Sequence, residues 1–126
     1  MLLLAGLSNN AMAEMIEIGK GTDGEVVSVD PITAHKIGST ATMWGRISFS
    51  KPQKFPGRPD YLSKLTQVQY DCPGKLTRTL YTNYFSEKDG KGKKIFFEDT
   101  STLLKWNRVS PGSVPEILFK YVCDKK

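Results

Sequence analysis

A chain of 126 residues with 39% apolar and 25% charged residues suffices for one modest hydrophobic core and excludes a large multidomain enzyme. Eighteen basic against thirteen acidic residues leave a net charge of +5, which suits acidic glycans, anionic headgroups or acidic protein patches, and suits plain solubility equally well. A single histidine, His35, and two cysteines exclude a histidine-rich metal site, a zinc cluster and a Cys-x-x-Cys redox motif, so no cofactor is expected.

The chain opens "MLLLAGLSNNAMAE". An apolar run over residues 1–7, a polar bridge and Ala11-Met12-Ala13 form the core and A-x-A cleavage site of a secretory signal, with a mature start at Glu14. The basic region that normally precedes the apolar run is missing, so the segment reads as a signal truncated at its N-terminus or as an ordinary apolar terminus. The signal reading divides the chain into 1–13, signal peptide, and 14–126, a single domain in the periplasm or outside the cell. No stretch is long and apolar enough to span a bilayer, and no cysteine near residue 14 offers a lipid anchor.

The next segments predict strands. "MIEI" (15–18) and "EVVSVD" (25–30) are joined by "GKGTDG", whose Asp23-Gly24 suits a tight hairpin. His35 follows Asp30-Pro31 in a polar turn and reads as an exposed bystander. "ATMWGRISF" (41–49) alternates, with Met43, Ile47 and Phe49 on one face and Trp44, Arg46 and Ser48 on the other. Three prolines and a glycine make 51–60 a loop. "KLTQVQYDC" (64–72) puts Thr66, Val68, Tyr70 and Cys72 on one face, and "KLTRTLYTNYF" (75–85) does so for Leu76, Arg78, Leu80, Thr82 and Tyr84. A turn at Asp89-Gly90 leads into "KIFFED" (94–99). "STLLKWNRV" (101–109) reads as a short strand or as an ordered approach to a helix.

That helix lies in "SVPEILFKYVC". Ser113 is an N-cap, Glu116 stands at the capping-box position, and Pro115 sits in the first turn, where its missing N–H costs nothing. Val114, Ile117, Leu118, Tyr121 and Val122 form an apolar stripe. Ten residues make a marginal helix on their own. In an oxidising compartment Cys72 and Cys123 pair, and a loop of about 50 residues closed this way contributes at most about 4 kcal/mol. The bond staples the helix to the face that carries Val68 and Tyr70. The fold class predicted is α+β: an antiparallel sheet of about six strands with one C-terminal helix packed on a face.

"VSVDPITAHKIGSTATMWGRISFSKPQ", "YDCPGKLTR", "WNRVSPGS" and the closing "VC" together resemble the surface-adhesin protein E family of Gram-negative bacteria, from about Val26 to Cys123. Tyr70-Asp71-Cys72 with Arg78, and Trp106 with Val109, Pro111, Gly112 and Ser113, carry the resemblance. It implies the same disulfide-held sheet and helix, and an adhesin that binds host matrix or serum proteins such as vitronectin and laminin. The founding member is a lipoprotein, from which this sequence departs in having no lipidation cysteine.

The candidate partner-binding residues are Lys88, Lys91, Lys93, Lys94 and Phe96, a basic hairpin beside aromatic area. Against this, lysines at a hairpin tip are commonly just solvated and guard a sheet edge. Lys51, Lys54 and Arg58 form a second basic loop with the same two readings. Trp44 and Trp106 serve as recognition anchors or, more ordinarily, as core and edge fillers. Arg78 is expected to pair with a carboxylate such as Asp71. No nucleophile elbow, metalloprotease motif or phosphate loop occurs, and Glu98 and Asp99 point to opposite faces of a strand, so catalysis is not expected. Export argues against nucleic acid, and an exposed sheet edge permits a homodimer. The expected function is adhesin-like binding, with a periplasmic accessory or inhibitor-like role as the alternative.

Overall fold

Alternating β-branched and polar residues draw the first half of the chain into four strands, β1 Ile16–Lys20, β2 Val26–Val29, β3 His35–Ile37 and β4 Thr40–Gln53. Four more follow, β5 Tyr61–Asp71, β6 Leu76–Phe85, β7 Lys94–Asp99 and β8 Asn107–Arg108, before helix α1, Val114–Cys123. The computed structural model describes residues 14–124, and the expected signal segment 1–13 lies outside that range. The strands form one antiparallel sheet in the order β1-β2-β4-β5-β6-β7, with β3 paired to β4 and β8 to β6. The α+β fold class holds, with two short strands added to the six. Among the described residues no helix is long and apolar enough to cross a membrane.

The turns follow from local chemistry. Gly24 takes φ 86° between β1 and β2, and Asp89 and Gly90 take φ 60° and 72° between β6 and β7. Left-handed backbone of this kind is what Asp-Gly pairs supply at least strain. Three boundaries differ from expectation. His35 begins β3 and so is in a strand, where it stays exposed. The loop expected over 51–60 is shortened, because β4 runs on past a register shift to Gln53. In 101–109 only Asn107 and Arg108 join the sheet.

Helix α1 begins at Ser113, whose Oγ accepts from the Glu116 N–H at 3.3 Å. The reciprocal half of the capping box is displaced by one residue, since Glu116 Oε1 accepts from the Gly112 N–H at 2.9 Å. Leu118, Phe119 and Val122 are buried against Val27, Val29, Met43, Ile47, Val68 and Tyr70. Phe119 was absent from the predicted stripe, yet its ring meets Tyr70 edge-on at 6.1 Å. Gly45 on β4 allows this approach: a Cβ there would stand 3.1 Å from Leu118 Cδ2. Cys72 and Cys123 are disulfide-bonded with Cα atoms 5.6 Å apart, as expected. The Lys36 ammonium adds a bond to the Cys123 carbonyl at 3.3 Å.

One irregularity decides which residues meet. Gln67 pairs with Tyr81 but Val68 pairs with Thr79, so Leu80 is an extra residue on β6. A bulge of this kind switches the faces on either side of it. Thr82 and Tyr84 share the helix side with Thr66, as do Thr77 and Thr79. Leu76 and Arg78 therefore fall on the opposite face, and the single face expected for Leu76 through Tyr84 is divided.

Candidate functional site

The hairpin between β6 and β7 is anchored to the sheet face opposite the helix. Ser48 Oγ donates to Asp89 Oδ1 at 3.0 Å, and the Asp89 N–H donates back to Ser48 Oγ at 2.9 Å. The Gly90 N–H donates to Ser63 Oγ at 2.8 Å, while Ser63 Oγ donates to the Glu87 carbonyl at 2.6 Å. Arg46 adds an ion pair to Asp89 at 3.8 Å. Ser48 and Ser63 are buried by this fold-back, at 5% and 0% exposure. The result is a fixed turn from which Lys88, Lys91, Lys93 and Lys94 all remain exposed.

Phe96 does not join them. It sits on the helix side, stacked on Tyr84 at 5.7 Å, against Phe55 at 4.9 Å and beneath the Arg58 guanidinium at 4.1 Å. The aromatic ring on the lysine side is Phe97, 49% exposed and stacked with Tyr81 at 6.1 Å. The sequence held this distinction only through strand parity, which the irregular pairing between Phe85 and Lys94 obscures.

The other expected residues resolve plainly. In the second basic loop Arg58 covers Phe96, Lys54 pairs with Asp60 at 3.1 Å, and Lys51 is exposed. Among the described residues Arg78 meets no carboxylate. Its Nε and Nη2 donate to Gln69 Oε1 at 3.1 and 2.8 Å, and Nη1 donates to the Leu103 carbonyl at 2.9 Å. The bulge places Arg78 across from Gln69, while Asp71 is turned to the Gly74 N–H. Trp106 lies half-buried with the Arg78 guanidinium 5.4 Å from its ring, and Trp44 is half-buried as well.

A cleft on the helix side had no signal in the linear sequence. It measures about 340 Å³ and lies between α1 and the β5–β7 part of the sheet. Val68, Phe49, Val114 and Leu118 give it apolar walls, Thr66, Thr77, Thr79, Thr82 and Thr100 a hydroxyl-bearing floor, and Lys64 and Glu98 its charges. Tyr84 donates its hydroxyl proton to Glu98 Oε1 at 2.9 Å, and burial, reinforced by this bond, pushes the Tyr84 phenol well above its usual range. Burial lowers the Lys64 ammonium from its ordinary value, partly offset by the charge of Glu98. Asp99 faces the other way, and hydrogen bonds from Ser101 hold its carboxyl below the usual range.

Among solved structures the chain is similar to Haemophilus influenzae protein E in crystal form II, with a TM-score of 0.61, 11% identity and 91% of each chain covered. Protein E from non-typeable Haemophilus influenzae gives 0.56 at 11% identity, over 92% of this chain and 79% of that one. At such identity the likeness concerns the fold. Comparison with curated protein sequences gives no match. The family model for surface-adhesin protein E matches residues 16–124, and the chain belongs to that family.

Proposed function

We propose that this protein is exported and acts as an adhesin-like binding protein, with a host extracellular-matrix or serum protein as partner. Family membership supports binding to host molecules in general. The observation that carries the finer reading is the anchored hairpin, because Ser48, Ser63 and Arg46 hold it in one conformation before any partner arrives. A preorganised loop loses little entropy on binding. Lys88, Lys91, Lys93 and Lys94 supply attraction for an acidic surface, and the exposed Phe97 follows with apolar contact. Phe96, taken up by Tyr84, Phe55 and Arg58, serves the fold.

The test is surface plasmon resonance against immobilised vitronectin and laminin with the triple variant Lys91→Gln, Lys93→Gln, Lys94→Gln. Association should slow by about tenfold at low salt, since rim charges act mainly on the on-rate. Raised salt should weaken the wild type toward the variant, and the melting temperature should not change. Equal affinity of the two proteins at low salt removes the hairpin from the account. Protease shaving of intact cells checks display: cleavage before the outer membrane is permeabilised is the expected result, and protection until then contradicts an adhesin role.

A further inference from the structure

We propose that the cleft between α1 and strands β5–β7 is a binding site for a small zwitterion of the apolar amino-acid type, free or as a dipeptide, with its carboxylate on Lys64 and its ammonium on Glu98.

Two opposite charges share the lining of this cleft without a direct ion pair. Lys64 on β5 and Glu98 on β7 both border the cleft, and the ion pairs among the described residues lie elsewhere, at Arg46–Asp89, Lys54–Asp60 and Lys120–Glu116. The register separates them. Lys64 stands opposite Tyr84, and Glu98 stands opposite Thr82, two residues further along and one strand beyond. Burial penalises the Lys64 ammonium, which Glu98 offsets only through space, and Glu98 keeps one oxygen without a protein donor. A ligand that brings one charge of each sign relieves both.

The orientation of Glu98 is fixed. Tyr84 donates to its Oε1, and Tyr84 is itself wedged among Phe55, Tyr61 and Phe96. Among the described residues Oε2 accepts no hydrogen bond and is not sealed from solvent, which leaves it open to a ligand's ammonium. The neighbouring Thr66 and Thr82 hydroxyls are already engaged with each other at 3.2 Å, and Thr66 also donates to the Tyr81 carbonyl. They therefore form a floor that makes no demand on a ligand. Val68, Val114 and Leu118 offer the wall for an aliphatic or aromatic side chain. The volume of about 340 Å³ lies at the small end of ligand clefts, which favours a molecule of one or two residues over a larger one.

The experiment is an NMR titration of the oxidised protein with L-leucine, L-phenylalanine and the dipeptide Leu-Leu. Isocaproate, which lacks the ammonium, and isoamylamine, which lacks the carboxylate, are the controls. Saturable shifts confined to Lys64, Thr66, Thr82, Tyr84 and Glu98 are expected, with each control bound about tenfold more weakly than leucine, because each forfeits one charge-assisted contact. Glu98→Gln, which keeps an acceptor for Tyr84, should abolish the preference for leucine over isocaproate. Lys64→Met should abolish the preference over isoamylamine. Controls that bind as well as leucine, shifts mapping to another surface, or no saturation by about 10 mM for any probe would overturn the site. The wild-type control series decides the matter by itself if a variant does not fold.

Discussion

Over β2 and β4 the helix lays Leu118, Phe119 and Val122 onto Val27, Val29, Met43 and Ile47, and none of these is more than 8% exposed. Over β5–β7 the same side of the sheet carries a floor of threonines, one lysine and one glutamate around a cleft of about 340 Å³. The first region is stapled by Cys72–Cys123 and admits the helix closely because Gly45 has no side chain. The second is roofed at its far end by the 54–60 loop, where Phe55 and Arg58 close over Phe96. Apolar side chains that interdigitate hold a fold together. Hydroxyls satisfied by their own sheet leave room for something else. The difference gives stability to the first region and, on our proposal, small-ligand binding to the second.

Three perturbations put that division to work, in order of expected size. Replacing both cysteines by serine should lower unfolding free energy by up to about 4 kcal/mol, as urea denaturation would read. Leu118→Ala, which hollows the stapled region, should cost about 3 kcal/mol. Thr82→Val in the cleft floor should cost only about 1 kcal/mol, for one shared hydroxyl bond. Equal losses for the two would erase the contrast. Alkaline pH supplies a fourth test. Burial raises the Tyr61, Tyr70 and Tyr84 phenols above their ordinary 10.0 in the folded chain. The folded state then keeps protons that the unfolded state gives up, so stability is complete below pH 10.0 and declines above it. Lys64, lowered from 10.5, works in the opposite sense below that value. Denaturation at graded alkaline pH should show the net decline, reduced in Tyr70→Phe.

Much of the stapled region is legible in the sequence. The Ser113 cap, the spacing of Leu118 and Val122, the Asp-Gly turns and the two cysteines are local or near-local signals, and the structure realises each one. What the sequence hides is register. Alternation runs unbroken through Leu80, so nothing there announces the bulge that turns Arg78 toward Gln69 and sets Thr82 and Tyr84 beside Thr66. Phe96 and Phe97 are adjacent letters on opposite faces, and only the pairing of β6 with β7 reveals that Phe97 is the ring on the lysine side. The cleft draws residues from β4 through β7 and from α1, and Lys64 and Glu98 lie 34 positions apart, so their shared lining emerges from the folded sheet alone.

Hydrogen–deuterium exchange on the oxidised and reduced protein tests the division most directly. Reduction should expose the amides of 114–123 and of β1 and β2 beneath them, while those of β5, β6 and β7 stay protected, because the bond holds in place the helix that covers β1 and β2, whereas β5–β7 keep their own ladder. Unchanged protection of 114–123 after reduction, or loss of the helix and all strands together, would contradict it.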